Sequence, residues 1–319
     1  MALAIPAGMS QPRCIVPGRT YLVTRRTTRR SFVLRPDADG TTQNAYWYLT
    51  AVLANAYGIV FHAVQMMSTH MHEVLTDTRG ELPRFLQERN RLFANVLKVH
   101  RDWDEEVFAR GAPHLLLLRG PAAILQEIGY TMANCVEAGL VEKPESWPGV
   151  SAVAGASPRV VSAQRPRMYL DPENPRWPEE ASLTLTVPVE LSSAFGDGAA
   201  DLVREAVRSA VGKARAAIVE AGRRFAQAAT LTSVPPETRA TTPVEERKRM
   251  PNFAAAGVHE EIERAARERS LFMESYYAAL QRVKDGLRDV LFPAGTWRAC
   301  VELGFARARH PAASWAEAA

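Results

Sequence analysis

The sequence predicts an α+β fold in which an antiparallel sheet is covered by packed helices. Three features of the first half of the 319-residue chain lead to this prediction. Short β-rich runs alternate with amphipathic stretches at helical spacing, two neighbouring runs are separated by only a tight turn, and glycines follow the stretches where helices should end. Antiparallel strands interleaved with helices are typical of a ferredoxin-like sandwich.

The predicted strands are short and rich in β-branched and aromatic residues. Thr20–Thr24 follows the turn dipeptide Pro17-Gly18 and is the first of them. Ile59–Met67 and Met71–Thr76 come next, and Ser68-Thr69 is the tight connection that makes these two strands antiparallel partners.

Three helices are predicted between and after these strands. Gln43–Tyr57 has apolar residues at helical spacing, and Gly58 is placed to end it. Leu82–His100 is amphipathic, and a third helix over about 121–138 opens with a proline and stops before Gly139.

The composition changes after residue 150, which predicts a division of the chain. Residues 15–151 are expected to form one domain, and residues 152–319 a mainly helical C-terminal region. The stretch over about 151–180 is rich in Pro, Ser, Gly and Ala and is expected to be a linker. Two long helices are predicted beyond it, Asp201–Ala228 and Val258–Val290.

Composition excludes several classes of protein. Hydrophobic residues make up 47% of the chain and charged residues 23%, so it is neither wholly disordered nor collagen-like. A net charge of +4 and a pI near 9.1 permit a polyanionic partner without requiring one. Three widely spaced cysteines, the lack of a signal-peptide pattern and the lack of a bilayer-length apolar run predict a cytoplasmic protein outside the membrane.

His70-Met71-His72 is the first group of chemically active side chains. Residues i and i+2 of a strand point to the same face, so both imidazoles should project from one surface of the sheet. Neutral imidazole is a common ligand of divalent metals, which makes the pair the start of a metal site. The alternative is two polar strand residues bonded to their neighbours.

Tyr130 and Asn134 are the second group. They lie four residues apart on the third predicted helix, and therefore one above the other on the same face. If that face packs on the strand with the two histidines, a phenol, an amide oxygen and two imidazoles converge. Such a set supplies a nucleophile and three metal ligands. The alternative is a half-buried tyrosine packed on the sheet and an asparagine near the helix end.

A basic stretch at the end of the first predicted strand is the third feature. A guanidinium group can bind phosphate through two parallel hydrogen bonds, so the stretch is a candidate phosphate clamp. The alternative is a solvated basic turn. Its four arginines are Arg25, Arg26, Arg29 and Arg30.

Three blocks of sequence follow one another in a characteristic order within residues 15–151. The first runs from Pro17-Gly18 through Tyr21-x-Val23-Thr24-x-Arg26 to Phe32, the second is 61–77 with its His-hydrophobic-His signature, and the third is 129–151. Together they resemble the HUH-superfamily single-tyrosine transposases, most closely the REP-associated tyrosine transposases and their bacterial insertion-sequence relatives. Three blocks in the right order and spacing are more specific than any one of them.

The chain departs from the pattern of this family at several positions. Ser68-Thr69 stands where the family has Pro-Asn, and Glu73 where it has leucine. In the third block Cys135 and Glu137 replace proline and arginine. Strand alternation predicts that Glu73 lies on the face opposite the histidines. Only a bulge in the strand would turn it into a further ligand.

The resemblance implies a metal-dependent enzyme that cleaves and rejoins single-stranded or hairpin DNA, as in DNA transposition. It implies that Tyr130 is the nucleophile of a covalent phosphotyrosine intermediate. His70, His72 and Asn134 would hold a divalent metal, for which the resemblance implies Mg²⁺ or Mn²⁺, although imidazole also suits Zn²⁺. The stretch 25–30 would bind DNA. Related enzymes act as monomers or as homodimers, so both states stay open.

Other functions stay open as well. A domesticated relative would bind a DNA hairpin without cutting it, and an unrelated metal-binding protein with a chance resemblance would not bind DNA. Tyr276 and Tyr277 are a second candidate nucleophile pair, because some HUH enzymes use two tyrosines, with helical packing as the alternative. For residues 152–319, docking on the first domain, binding of flanking DNA and assembly are all compatible with the sequence.

Overall fold

The computed structural model describes residues 12–226, 228–242 and 251–308, which form two compact units. The larger unit spans residues 19–258 and contains the sheet. The smaller unit comprises the described residues of 1–18 and 259–319. The larger unit therefore continues through residue 151, where the change in composition predicts a division.

The larger unit is built from one eight-stranded sheet and the helices packed on it. Its strands are β1 Arg19–Arg26, β2 Ile59–Met66, β3 His70–Asp77, β4 His114–Leu118, β5 Ser151–Val153, β6 Arg159–Gln164, β7 Glu180–Leu185 and β8 Phe253–Ala254. Its α-helices are α1 Thr41–Tyr57, α2 Leu82–Arg101, α3 Gly120–Glu137, α4 Val189–Phe195, α5 Ala199–Glu220 and α6 Ala228–Ser233. The smaller unit contains α7 His259–Lys284 and α8 Arg298–Val301.

The first four strands have the ferredoxin-like arrangement. They lie side by side in the order β2-β3-β1-β4, and each neighbouring pair is antiparallel. The whole sheet is mixed, because β7 pairs in parallel with β2 and β8 in parallel with β4. The predicted α+β class and the helical C-terminal region are confirmed. No helix among the described residues has the length and apolarity needed to cross a membrane.

The two faces of the sheet are covered by different helices. Side chains of one parity along β1 and β3, such as Val23 and Leu75, are buried in a core with α1 and α2. Side chains of the other parity, such as Leu22 and Val74, are buried against α3 and α5. This is the period of two that a strand imposes on its side chains. His72 shares its parity with Val74 and therefore lies on the α3 face.

The stretch over 151–180, expected to be a linker, contributes strands to the sheet. β5 pairs with β2 through residues 151–153, and β6 forms an antiparallel pair with β7. β6 is exposed at most of its positions, so it has no alternation of polar and apolar residues by which a sequence pattern would identify it.

The α1 and α2 face encloses a buried ion pair. The guanidinium of Arg89, on α2, donates hydrogen bonds to both carboxylate oxygens of Glu73, and the hydroxyl of Tyr46, on α1, donates to Glu73 Oε1 over 2.5 Å. Glu73 and Arg89 are both 0% exposed. Glu73 thus lies on the face opposite the histidines, where strand alternation predicts it. Its contacts with Tyr46 and Arg89 link α1 and α2 to β3.

Acid should destabilise this fold through His62, a buried residue of β2. Burial lowers the pKa of His62 to about 4, although its hydrogen bond to the Thr186 carbonyl acts in the opposite direction. In the unfolded chain the same imidazole takes up a proton near pH 6.5. Its contribution to stability is therefore complete above pH 6.5 and is lost as the pH falls towards 4, by roughly 3 kcal/mol in total.

We expect His62→Gln to lose less stability than the wild type between pH 7.5 and pH 4.5, as measured by urea unfolding. His259→Gln, at a residue on α7 with an 85% exposed side chain, is the matched control and should follow the wild-type curve. An equal pH dependence for His62→Gln and the wild type would contradict the prediction.

Candidate active site

β3 presents His70 and His72 side by side. Their ring centroids lie 4.9 Å apart. Each imidazole has its Nδ1 atom next to a threonine hydroxyl, at 2.9 Å from Thr69 Oγ1 for His70 and 3.0 Å from Thr24 Oγ1 for His72. Because each Nδ1 atom is paired with a hydroxyl, the Nε2 atom is the ring nitrogen of each histidine that can bind another group at the site.

The helix α3 brings Tyr130 and Asn134 to these histidines. Asn134 Oδ1 lies 3.1 Å from His70 Nε2, and the Tyr130 ring meets the His72 ring edge-on with centroids 5.2 Å apart. Tyr130 is 39% exposed, whereas Asn134 is buried. All four residues predicted from the sequence therefore meet on one face of the sheet, and Tyr130 is the most exposed of them.

Close packing on both sides fixes the position of α3. One side lies on the apolar residues of the sheet, and the other meets α5 at Gly129, directly before Tyr130. A Cβ atom on Gly129 would lie 2.8 Å from the Ala206 carbonyl oxygen, a distance too short for any side chain. A glycine is therefore required here for the two helices to approach, and α5 acts as a support behind the candidate nucleophile.

The two imidazoles are electrically neutral near pH 7. Burial, together with smaller effects of the positive charges of Arg26 and Arg30, lowers the pKa of His70 to about 4, although its hydrogen bond with Asn134 acts in the opposite direction. The pKa of His72 is also held well below its ordinary value, first by burial and then by His70 and Arg26. Neutral imidazole is the form that could ligate a metal ion.

The arginines of the basic stretch do not form one cluster. Along β1, Arg26 pairs in register with His70, and its charge acts on both histidines. Arg25 points to the other face, where its guanidinium stacks on Phe108 with 5.1 Å between its Cζ and the ring centroid. Strand alternation separates these two neighbours, so only Arg26 faces the candidate site.

The other two arginines lie in the turn that follows β1. Arg29 forms an exposed ion pair with Glu105 at 2.8 Å. Arg30 donates hydrogen bonds to the carbonyl oxygen and the hydroxyl of Thr242, and its charge also acts on His70. Within the predicted clamp, the positive charge of Arg26 therefore acts on both histidines and that of Arg30 on His70.

The donor atoms at the site suit a divalent cation. His70 Nε2 and Asn134 Oδ1 lie 3.1 Å apart, within hydrogen-bond distance, so an imidazole nitrogen and an amide oxygen that could both ligate a cation converge at one point. Within the described part of the chain, no group of three or more His, Cys, Asp and Glu side chains is placed to hold a metal. A ligand set built on the two histidines would therefore need a donor of another type, such as the amide oxygen of Asn134.

The sequence did not indicate the threonine hydroxyls that lie beside the Nδ1 atoms of the two histidines. For Tyr276 and Tyr277 it left two interpretations, a second pair of nucleophiles or helical packing. Thr24 lies in the first block of the resemblance, and the register of β1 against β3 places it opposite His72, which a sequence pattern alone does not reveal. Tyr276 packs on Phe272 and Phe292 in the smaller unit, as helical packing predicts.

Comparison with known proteins gives limited similarity. No protein-family model matches the chain, and no curated protein matches it. A solved structure of a REP-associated tyrosine transposase bound to a REP hairpin aligns with 44% of this chain and 81% of its own, at 16% sequence identity and a TM-score of 0.36. A similarity of this size does not assign the chain to a family.

Proposed function

We propose that this protein is a metal-dependent, single-tyrosine DNA strand transferase that acts on single-stranded or hairpin DNA. The observation that supports the proposal most strongly is the convergence of Tyr130 and Asn134, from a helix, with His70 and His72, from a strand. These four residues come from two segments more than fifty positions apart in the chain.

Tyr130 is suited to the role of nucleophile. Its ring is partly exposed, so a phosphodiester from solvent can approach it, and its helix is held on both sides. In the proposed step the phenol oxygen bonds to phosphorus while its proton leaves, and the phosphorus–O3′ bond breaks. The departing 3′ oxygen gains a proton and becomes a free hydroxyl. The phosphotyrosine keeps the bond energy, so rejoining to another strand end needs no nucleotide cofactor.

His70, His72 and Asn134 are the residues that would hold a divalent cation. A phenol with a pKa of about 10 is a poor nucleophile at neutral pH. A bound Mg²⁺ or Mn²⁺ would polarise the scissile phosphate and neutralise charge on its oxygens. The threonine hydroxyls at the two Nδ1 atoms keep the imidazoles oriented for this role.

Arg26 is the DNA-contacting residue best placed for the scissile phosphate. Its register partner is His70, and its positive charge acts on both imidazoles. A cation beside a reactive phosphate attracts the DNA backbone independently of sequence. Arg30 adds to the same field from the following turn.

The test is a cleavage assay on labelled single-stranded oligonucleotides taken from the DNA that flanks the coding sequence. Wild-type protein with Mn²⁺ is expected to form a covalent protein–DNA adduct, which appears as a band of reduced mobility on a denaturing gel. EDTA should abolish the adduct. Tyr130→Phe should abolish it too while retaining hairpin binding, because the ring is preserved and only the nucleophilic oxygen is lost.

Tyr277→Phe is the control variant, since this tyrosine lies in the smaller unit. It should form the adduct at the wild-type level. Tight hairpin binding without an adduct in any metal would contradict strand transfer and favour a DNA-binding protein without cleavage activity. A protein that neither binds nor cleaves these DNAs would contradict the proposed substrate.

A further inference from the structure

We propose that Gln65 supplies a fourth donor, its side-chain Oε1, to the divalent cation held by His70, His72 and Asn134. The inference deepens the proposed function, on whose cation site it rests. Gln65 belongs to β2. The sequence motifs do not mark it as a ligand, and regular alternation along the strand from Phe61 would place it on the face opposite the histidines.

The register of the hairpin places Gln65 directly opposite His72. The two residues are Cα partners in the antiparallel pair of β2 and β3, and partners of this kind have Cβ atoms about 5 Å apart on the same face. On the other side, Thr24 of β1 is also a register partner of His72. Gln65, His72 and Thr24 therefore form a row across three strands under α3.

A bulge in β2 is the reason that Gln65 faces the histidines. The register shifts between Phe61 and Ala63, so that Phe61 and Val64 both belong to the α1 and α2 core while Ala63 belongs to the α3 core. Without the shift, Gln65 would share the face of Phe61. Bulges are over-represented beside active sites because they redirect a side chain, and this bulge directs a polar amide towards the site.

The amide oxygen of Gln65 is buried and unsatisfied. Gln65 is 0% exposed, and Oε1 finds no hydrogen-bond donor among the described residues, while Nε2 lies 3.8 Å from Met67 Sδ. A buried acceptor without a partner destabilises the fold, because it gives up its hydrogen bonds to water and gains none in return. An apolar residue would fill the same place without that cost, so the polar group needs an explanation of its own.

A cation at the histidine pair explains the unsatisfied oxygen. Hard divalent cations prefer oxygen donors, and an amide carbonyl is one of them. The resulting set of two imidazole nitrogens and two amide oxygens is uncharged. The protein donors would therefore leave the ion's full positive charge available to a DNA phosphate.

The test is a direct measurement of Mn²⁺ binding to the full-length protein without DNA, by electron paramagnetic resonance and calorimetry. Gln65→Met should lower the Mn²⁺ affinity about tenfold or more, since a donor is lost. Its melting temperature in EDTA should equal or exceed that of the wild type, because the unpaired acceptor is gone. Gln65→Glu should raise the affinity, because a carboxylate binds the ion more strongly.

Gln164→Met, at an exposed position of β6, is the matched control and should bind Mn²⁺ as the wild type does. Wild-type affinity in Gln65→Met would overturn the proposal, and so would a wild-type protein that does not bind Mn²⁺. The result is separable from strand transfer, because Tyr130→Phe should keep its Mn²⁺ affinity. If the wild type binds Mn²⁺ through Gln65 but forms no DNA adduct, the proposed function fails and the assignment of the donor stands.

Discussion

Glu73→Leu is expected to destabilise the protein by about 3–5 kcal/mol, because it leaves a guanidinium buried without its counter-charge. Arg89 is fully buried, donates two hydrogen bonds to Glu73, and is otherwise surrounded by Asn90 and the rings of Tyr46 and Phe85. Removal of the carboxylate also takes the acceptor from the Tyr46 hydroxyl. Urea unfolding followed by tryptophan fluorescence measures the loss.

The double variant Glu73→Leu/Arg89→Met separates the lost charge from lost packing. A buried ion pair that is replaced entirely by apolar side chains of similar volume is often neutral in stability. We therefore expect the double variant to recover most of the stability that Glu73→Leu loses, and to keep Mn²⁺ binding, because both side chains lie on the face opposite His72. A single variant within about 1 kcal/mol of the wild type would contradict a buried, charged pair at this place.

Strand alternation made much of the site predictable. A period of two separates His70 and His72 from Glu73, and a period of 3.6 stacks Asn134 over Tyr130. Both rules act within one element, so a sequence is sufficient to apply them. The packing of α3 on the strand that carries the histidines is a tertiary contact. Neither the strand period nor the helix period predicts it, and it followed only from the resemblance to the transposase family.

Features that depend on neighbouring strands were not predictable in the same way. Arg25 and Arg26 look equivalent in a run of basic residues, yet β1 directs one to Phe108 and the other to the histidines. The side on which Gln65 lies depends on the bulge after Phe61, and a bulge has no reliable signal in a single sequence. The strands β6 and β7, which begin within 151–180, are short and exposed at many positions, so their hydrophobic pattern is weak.

His70→Gln/His72→Gln is expected to lower formation of the covalent DNA adduct with Mn²⁺ by about a hundredfold or more, which is the usual scale for the loss of electrostatic stabilisation at a reacting oxyanion. The two imidazoles are half of the proposed donor set, and both are neutral and oriented by hydroxyls in the folded protein. Adduct yield and Mn²⁺ affinity should fall together, whereas binding of hairpin DNA should persist because Arg26 and Arg30 are unchanged.

His62→Gln is the matched control, since His62 is a buried histidine of the same sheet that bonds to Thr76 and Thr186 instead of facing the site. At pH 7.5 it should form the adduct at the wild-type level. Cleavage by the double histidine variant at the wild-type rate would contradict a catalytic cation at this site. Retained binding with lost cleavage would separate two roles: the histidines and the amides would serve the chemistry at the phosphate, and the arginines would bind it.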